Sequence, residues 1–402
     1  MCSYPRQTRS RTDTDSQALL TPCLHRQRLL RRVSIPIGTD GQTLTIGHGT
    51  INAAAHFAKF VDQFKDVVPD FSLPANFDSA VGFGSLEISS DQLLSILALR
   101  LTTNQRAETI FTSTPTADLD KPLSATPIYF PQFADGGGYT TTILLLNTSI
   151  SRETGTMTIS DDNGEPLVVN QVGGIKGSSF AYAIPPGGVF VLQTDGSASD
   201  VKVGAVRLTP DAGTSTPAGS GIFRYSTGGV MVTESGVPAA TPTTHARIYV
   251  DKSGGHDTGL AVAAVSESAT DVAVRAFQQD GSTPAGAGYG TVGLVGNGHE
   301  AAFVGQLISG LPAGFTGVLD ISSAVPFVAL TLRSLTNERG DFLLTTFPIA
   351  DANQAAPAPI VFPQIADGGG YLTECILLSA TGGASTTFHL FGDTGALLAV
   401  IK

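Results

Sequence analysis

The sequence predicts an all-β chain of tandem antiparallel β-sandwich modules, each about 115 residues long and with room for one short helical turn. Three observations predict it. Gly (46) and Pro (23) are abundant among Val, Thr and Ile, the mixture that short strands and tight turns require. Apolar residues alternate with polar ones, as in TGTMTIS from Thr154 to Ser160, rather than recurring at helical spacing. Long stretches repeat at fixed offsets, the mark of an array of similar units.

Residues 1–32 stand apart as an Arg-rich leader. Seven arginines (Arg6, Arg9, Arg11, Arg26, Arg28, Arg31, Arg32) against Asp13 and Asp15 give it +5, so with −11 on the whole chain the other 370 residues carry −16. The leader reads as a disordered extension or a misassigned start, and without an apolar core segment it does not read as a secretory signal. An acidic body repels phosphate backbones, which argues against nucleic acid as a partner of the modules. No apolar run reaches the roughly 18 to 20 residues that cross a bilayer as a helix. Cys2, Cys23 and Cys375 make no disulfide framework, and Cys375, inside ECILLS, is expected as a buried, inert thiol.

The module boundaries follow from the repeats. FPQFADGGGY (Phe130 to Tyr139) returns as FPQIADGGGY (Phe362 to Tyr371), 232 residues later. LALRLTTNQRAETIFTSTPTAD, ending at Asp118, returns as LTLRSLTNERGDFLLTTFPIAD, ending at Asp351, and LEISS from Leu86 returns as LDISS from Leu319, both 233 residues later. A shorter period of 120 residues relates IYFPQFADGGGY from Ile128 to IYVDKSGGHDTG from Ile248. The chain therefore divides into a partial module at 33–120, whole modules at 128–242 and 243–357, and the opening part of a fourth at 358–402, joined by Pro-containing linkers.

Within a module, TGTMTISDDNGEPLVV reads as strand, Asp-Asn-Gly turn, strand, with Asp280–Gly281 and Asp393–Gly395 at the same corner in other modules. GVFVLQT, DVKVGAVRL, GIFRYS and VMVTES add strands at sandwich spacing. HFAKFVDQF and its counterpart HEAAFVGQL suggest the helical turn, with Phe57, Phe60 and Phe64 spaced to share one face.

This spacing and alternation over residues 33–402 resembles the immunoglobulin-like and fibronectin type III-like modules strung along secreted bacterial surface proteins. The FPQFADGGGY and LTLRSLTNERGDFLLTTFPIAD segments are also similar to those of uncharacterised tandem-repeat proteins of environmental bacteria. The resemblance implies a β-sandwich array and no reaction. It departs from immunoglobulin domains in lacking any Cys-Trp-Cys core, since Trp is absent.

Several residues invite a functional reading. Asp135 and Asp367, each before three glycines, are candidate Ca²⁺ ligands, whereas glycines that take positive φ at a sheet corner explain the motif without a ligand. Paired Asp-Thr-Gly segments form the dyad of aspartic proteases, but the two here, at Asp257 and Asp393, fall at non-equivalent repeat positions, which argues against a dyad. His56 and His299 recur at equivalent positions with no second His or Cys at ligand spacing, and read as corner residues. Arg100, Arg224 and Arg333 recur before the closing Pro of each module. Glu87 and Asp320 are placed to pair with Arg100 and Arg333, while the middle module has Arg207 there, which sets Arg207 beside Arg224 as a weak anion site. Asn147–Thr148–Ser149 is a formal glycosylation sequon.

Repetition without a specialised constellation points to a non-enzymatic, secreted or cell-surface array acting as a stalk or adhesive, with no cofactor. The alternative is a carbohydrate- or other ligand-binding module accessory to a secreted enzyme, with Tyr139, Tyr371 and Arg224 as candidate ligand-binding residues. A fragment of a secreted hydrolase whose catalytic domain lies elsewhere is a third reading. Expected partners are a polysaccharide, a cell-surface protein, or a second copy engaged through the incomplete end modules.

Overall fold

In Glu153–Ser160 every second residue is buried, and this alternation builds a strand with one face in a core. The computed structural model describes residues 28–37, 40–73, 84–355, 359–379 and 384–401, and it is nearly all antiparallel β. The leader residues 1–27 lie outside the described residues.

The first sandwich-like unit holds β6 (Ile128–Asp135), β7 (Tyr139–Leu146), β8 (Glu153–Ser160), β9 (Val169–Asn170), β10 (Lys176–Gly177), β11 (Ser179–Ile184), β12 (Val189–Gln193), β13 (Lys202–Pro210), β14 (Ala218–Thr227) and β15 (Val230–Pro238). Its two four-stranded sheets run β11-β8-β13-β6 and β12-β7-β14-β15. Between them lie Phe130, Phe133, Ile143, Leu145, Met157 and Phe223. The arm returning from the Asp161–Gly164 turn is shorter than its sequence suggests: only a bridge at Pro166 and the two-residue β9 pair there.

The second unit holds β16 (Thr243–Asp251), β17 (His256–Ala264), β18 (Thr270–Gln278), β19 (Pro284–Leu294), β20 (His299–Phe303), α1 (Val304–Leu307), β21 (Thr316–Thr336), β22 (Phe342–Phe347) and β23 (Ala350–Asp351). The first half of β21 pairs with β16 and β18, and its second half pairs with β17 and β22. One strand thus serves both sheets where the first unit uses β13 and β14. The resulting orders, β19-β18-β21-β16 and β20-β17-β21-β22, match those of the first unit strand for strand.

In the N-terminal segment β1 (Arg28–Ile37), β2 (Gln42–Ile51) and β3 (Glu87–Ser90) are ordered β2-β1-β3, as β19-β18-β21 are, and β4 (Ala98–Thr103) and β5 (Thr109–Thr114) form a hairpin. Strand β1 begins at Arg28, inside the segment expected as leader. The 3-10 turn Val61–Asp66 occupies the place of α1, and Phe64 packs on Phe57 and Phe71. Phe60 does not share that face: it precedes the turn with extended backbone and is exposed.

The C-terminal segment contributes only the hairpin β24 (Phe388–Phe391) and β25 (Leu397–Ile401). No described strand covers residues 359–379, so Cys375 is exposed rather than buried. The surrounding run is apolar enough for a core, but a thiol is buried only where a second sheet packs over it. No helix among the described residues is long and apolar enough to cross a membrane.

Candidate functional site

Residues far apart in sequence converge where the two units meet. His299 opens β20 after the turn Val295–Gly298, in which Asn297 takes a φ of 57°, a conformation Asn tolerates better than most residues. The His299 backbone N–H donates to the Asp162 carbonyl at 3.4 Å. Its Nδ1 lies 2.8 Å from Asp162 Oδ1, in the turn after β8, and its Nε2 lies 3.2 Å from Gln132 Oε1, on β6. The ring is fully buried with both nitrogens engaged. With one ring nitrogen on Asp162 and the other on Gln132, both in the first unit, this arrangement clamps the two units together.

The same clamp is built a second time, between the ends of the described chain. His56 Nδ1 lies 3.2 Å from Asp393 Oδ1, and Nε2 lies 2.8 Å from Gln364 Oε1. Its backbone N–H donates to the Asp393 carbonyl at 3.1 Å. The turn detail agrees: Ala54 takes a φ of 57°, the value at Asn297. A side chain on Gly395 would strike Ala53, and one on Gly164 would strike Gly296.

A third contact relates the two clamps. Arg106 Nη2 donates to Asp341 Oδ2 at 2.8 Å, and Arg339 Nη1 pairs with Glu108 Oε1 at 2.6 Å. These are corresponding turns, TNQRAE and TNERGD, exchanging corresponding residues, which is how an isologous two-fold contact is made. The Arg106 guanidinium holds the Asp341 carboxyl below its ordinary value.

Beside the first clamp, the outer face of the β11-β8-β13-β6 sheet and the second unit enclose a cleft of about 290 Å³. Tyr129, Ser178, Ser179 and Arg207 line it from one side, and Ala264 and Asn297 from the other. The Arg207 guanidinium lies over the Tyr129 ring, 5.9 Å from its centre. Away from the cleft, Glu153 is fully buried, with Oε1 accepting from Ser215 Oγ at 2.6 Å and Oε2 unpaired. Burial raises its pKa, and burial beside Glu153 pushes the Tyr182 hydroxyl up to about 12.

No protein-family model, curated protein or solved structure matches the chain.

The residues singled out in the sequence are dispersed. Asp135 is buried in its corner, where Oδ1 accepts the Gly196 N–H at 3.2 Å, and Asp367 is exposed. Among the described residues no group of three or more His, Cys, Asp or Glu is placed to hold a metal ion. Tyr139 stacks on Tyr225 at 4.6 Å, so each ring occupies a face of the other, while Tyr371 is exposed. Asp257 pairs with Lys252 and Asp393 with His56. The Asn147 amide donates to the Ser151 and Ile184 carbonyls, which makes it a turn residue.

Arg100 does not pair with Glu87, nor Arg333 with Asp320. Arg100 and Arg224 both donate to the buried Glu234, at 2.9 and 2.6 Å, joining the N-terminal hairpin to the first unit. Arg333 pairs with Asp251 at 2.6 Å, and Asp320 pairs with Arg247. Arg207 does not neighbour Arg224: they lie on opposite sheets, because β13 and β14 separate into different layers. The clamps were missed in the sequence, although Gln132, Asp162 and His299 all recur, as Gln364, Asp393 and His56.

Proposed function

We propose that the chain is a non-enzymatic structural or adhesive array of β-sandwich units, exposed outside the cell, whose units pack side by side instead of stringing out as a thin stalk. The observation that carries this reading is the doubled His–Asp–Gln clamp. An interface used twice, with the same atoms and the same turn conformation, is what a repeating array needs, and a one-off catalytic site is not. The reciprocal Arg106–Asp341 and Arg339–Glu108 contacts between non-adjacent parts of the chain add to it. The likeness to immunoglobulin-like and fibronectin type III-like surface modules supports the extracellular placement.

Small-angle scattering of the full chain, as wild type and as the His56→Ala/His299→Ala pair, tests the packing, and a panel of glycoside, ester and peptide substrates tests the absence of catalysis. A compact wild type, an elongated double variant and no turnover are expected. An elongated wild type overturns the packed array, and specific turnover overturns the non-enzymatic reading.

A further inference from the structure

We propose that the cleft beside the first clamp binds a carboxylate-bearing saccharide unit, with Arg207 as its anchor. Four arginines of the described residues are part-buried: Arg207, Arg224, Arg247 and Arg333. The last three each hold a carboxylate, on Glu234, Asp320 and Asp251. Arg207 holds none among the described residues, in a body carrying sixteen net negative charges. Its buried Nε–H has no acceptor, as at Arg333, whose Nη2 nonetheless reaches Asp251. A buried charged donor without an acceptor costs free energy unless a ligand or water supplies the oxygen. The guanidinium carbon lies 5.9 Å from the centre of the Tyr129 ring, within cation–π reach, and a guanidinium with no carboxylate partner suits a planar, bidentate acceptor.

The rest of the cleft selects the remainder of the ligand. Ser178, Ser179 and Asn297 line it and offer hydroxyl and amide groups, while Ala264 adds small apolar surface. At about 290 Å³ the cleft lies at the lower edge of the roughly 300–1,000 Å³ range of small-molecule sites and takes one small unit. The acidic surroundings disfavour polyphosphates. A single carboxylate carried on a hydroxyl-rich ring meets all three conditions. The inference rests on the side-by-side packing of the array reading, since both units line the cleft; a compact wild type in scattering that binds no glucuronate fails this inference alone.

The test is calorimetric titration of the full chain with glucuronate, glucose and acetate, on wild type, Arg207→Gln and Arg275→Gln, an exposed arginine away from the cleft. Glucuronate binds wild type and Arg275→Gln alike, while Arg207→Gln, glucose and acetate each bind at least about tenfold more weakly, the size of one lost charge-assisted contact. Equal binding of glucose, of acetate, or of glucuronate to Arg207→Gln overturns the proposal. If Arg207→Gln lowers the unfolding midpoint, amide shifts of the wild type under glucuronate decide instead. Shifts centred on Ser178, Ser179 and Asn297 support the site, and shifts elsewhere or none overturn it.

Discussion

Residues 130–139 and 362–371 differ at one position, Phe133 against Ile365, yet one copy lies in a sandwich and the other does not. The corner itself is the same in both. Its three glycines take φ values of 78°, 57° and 95° in the first copy and 86°, 59° and 92° in the last. Gly136 and Tyr139 exchange backbone hydrogen bonds, as do Gly368 and Tyr371. Thr141 Oγ donates to the Ala134 carbonyl at 2.7 Å, and Thr373 does the same to Ala366 at 2.7 Å. Around the first corner β6 and β7 form and Phe133 is fully buried, whereas around the last no strand forms and Ile365 is 44% exposed. A tight turn with its own hydrogen bonds is encoded within ten residues, while a strand also needs neighbours that come from far along the chain.

The largest effect that would sharpen this comparison is at the one differing position. Phe133→Ala should cost the first unit about 3–5 kcal/mol, while Ile365→Ala changes local stability by under about 0.5 kcal/mol. Hydrogen exchange read by mass spectrometry resolves the two regions, and equal losses would break the distinction. Next in size are the middle glycines. Gly369→Ala places a side chain in open space at positive φ, at about 1–2 kcal/mol, whereas Gly137→Ala meets Val201 as well and should cost about 1–3 kcal/mol more by urea unfolding.

The clamps give a third pair. His299→Ala strands the buried Gln132 and should cost about 1–3 kcal/mol, separating the unfolding of 128–240 from that of 243–351 in calorimetry. His56→Ala, whose ring is 31% exposed, should cost under about 1 kcal/mol.

The smallest effect is a pH slope confined to the first copy, because the position of Glu153 is filled by Ala384 in the last. The Glu153 pKa is raised above its ordinary 4.5 in the folded chain, so its contribution is full below about pH 4.5 and is lost as pH rises through the folded value. Glu153→Gln should remove that loss, so its advantage over wild type in urea midpoint grows with pH. Asp280 has the opposite sign: the Thr283 hydroxyl and neighbouring N–H groups lower it to about 2, and its contribution fades as pH falls from 3.8 towards that value.

Much of the fold was legible because its signals are short in range. Alternation in TGTMTIS, glycines at corners and the 232-residue repeat all lie within reach of local pattern reading, and they gave the all-β class and most strands of the first unit. What escaped is set by which layer covers which. The thiol of Cys375 and the partners of Arg100 and Arg207 depend on sheets contributed by other segments, and an apolar run such as ECILLS carries no mark of whether a second sheet packs on it. The clamp was written in three separate repeats, at Gln132, Asp162 and His299. Each recurrence was visible, but only the folded chain brings the three to one point.

The meeting of His56 with Asp393 and Gln364 has a mechanical consequence. Tension applied across His56 and Asp393 is carried first by this contact, since the chain joining them runs through both sandwiches and is not loaded until the contact parts. The contact is a few hydrogen bonds between partly exposed groups, which yield at small extension, and slack from the parted segments is released before either sandwich is stretched. The chain thus carries a weak link that parts early under load and can close again when the load is removed.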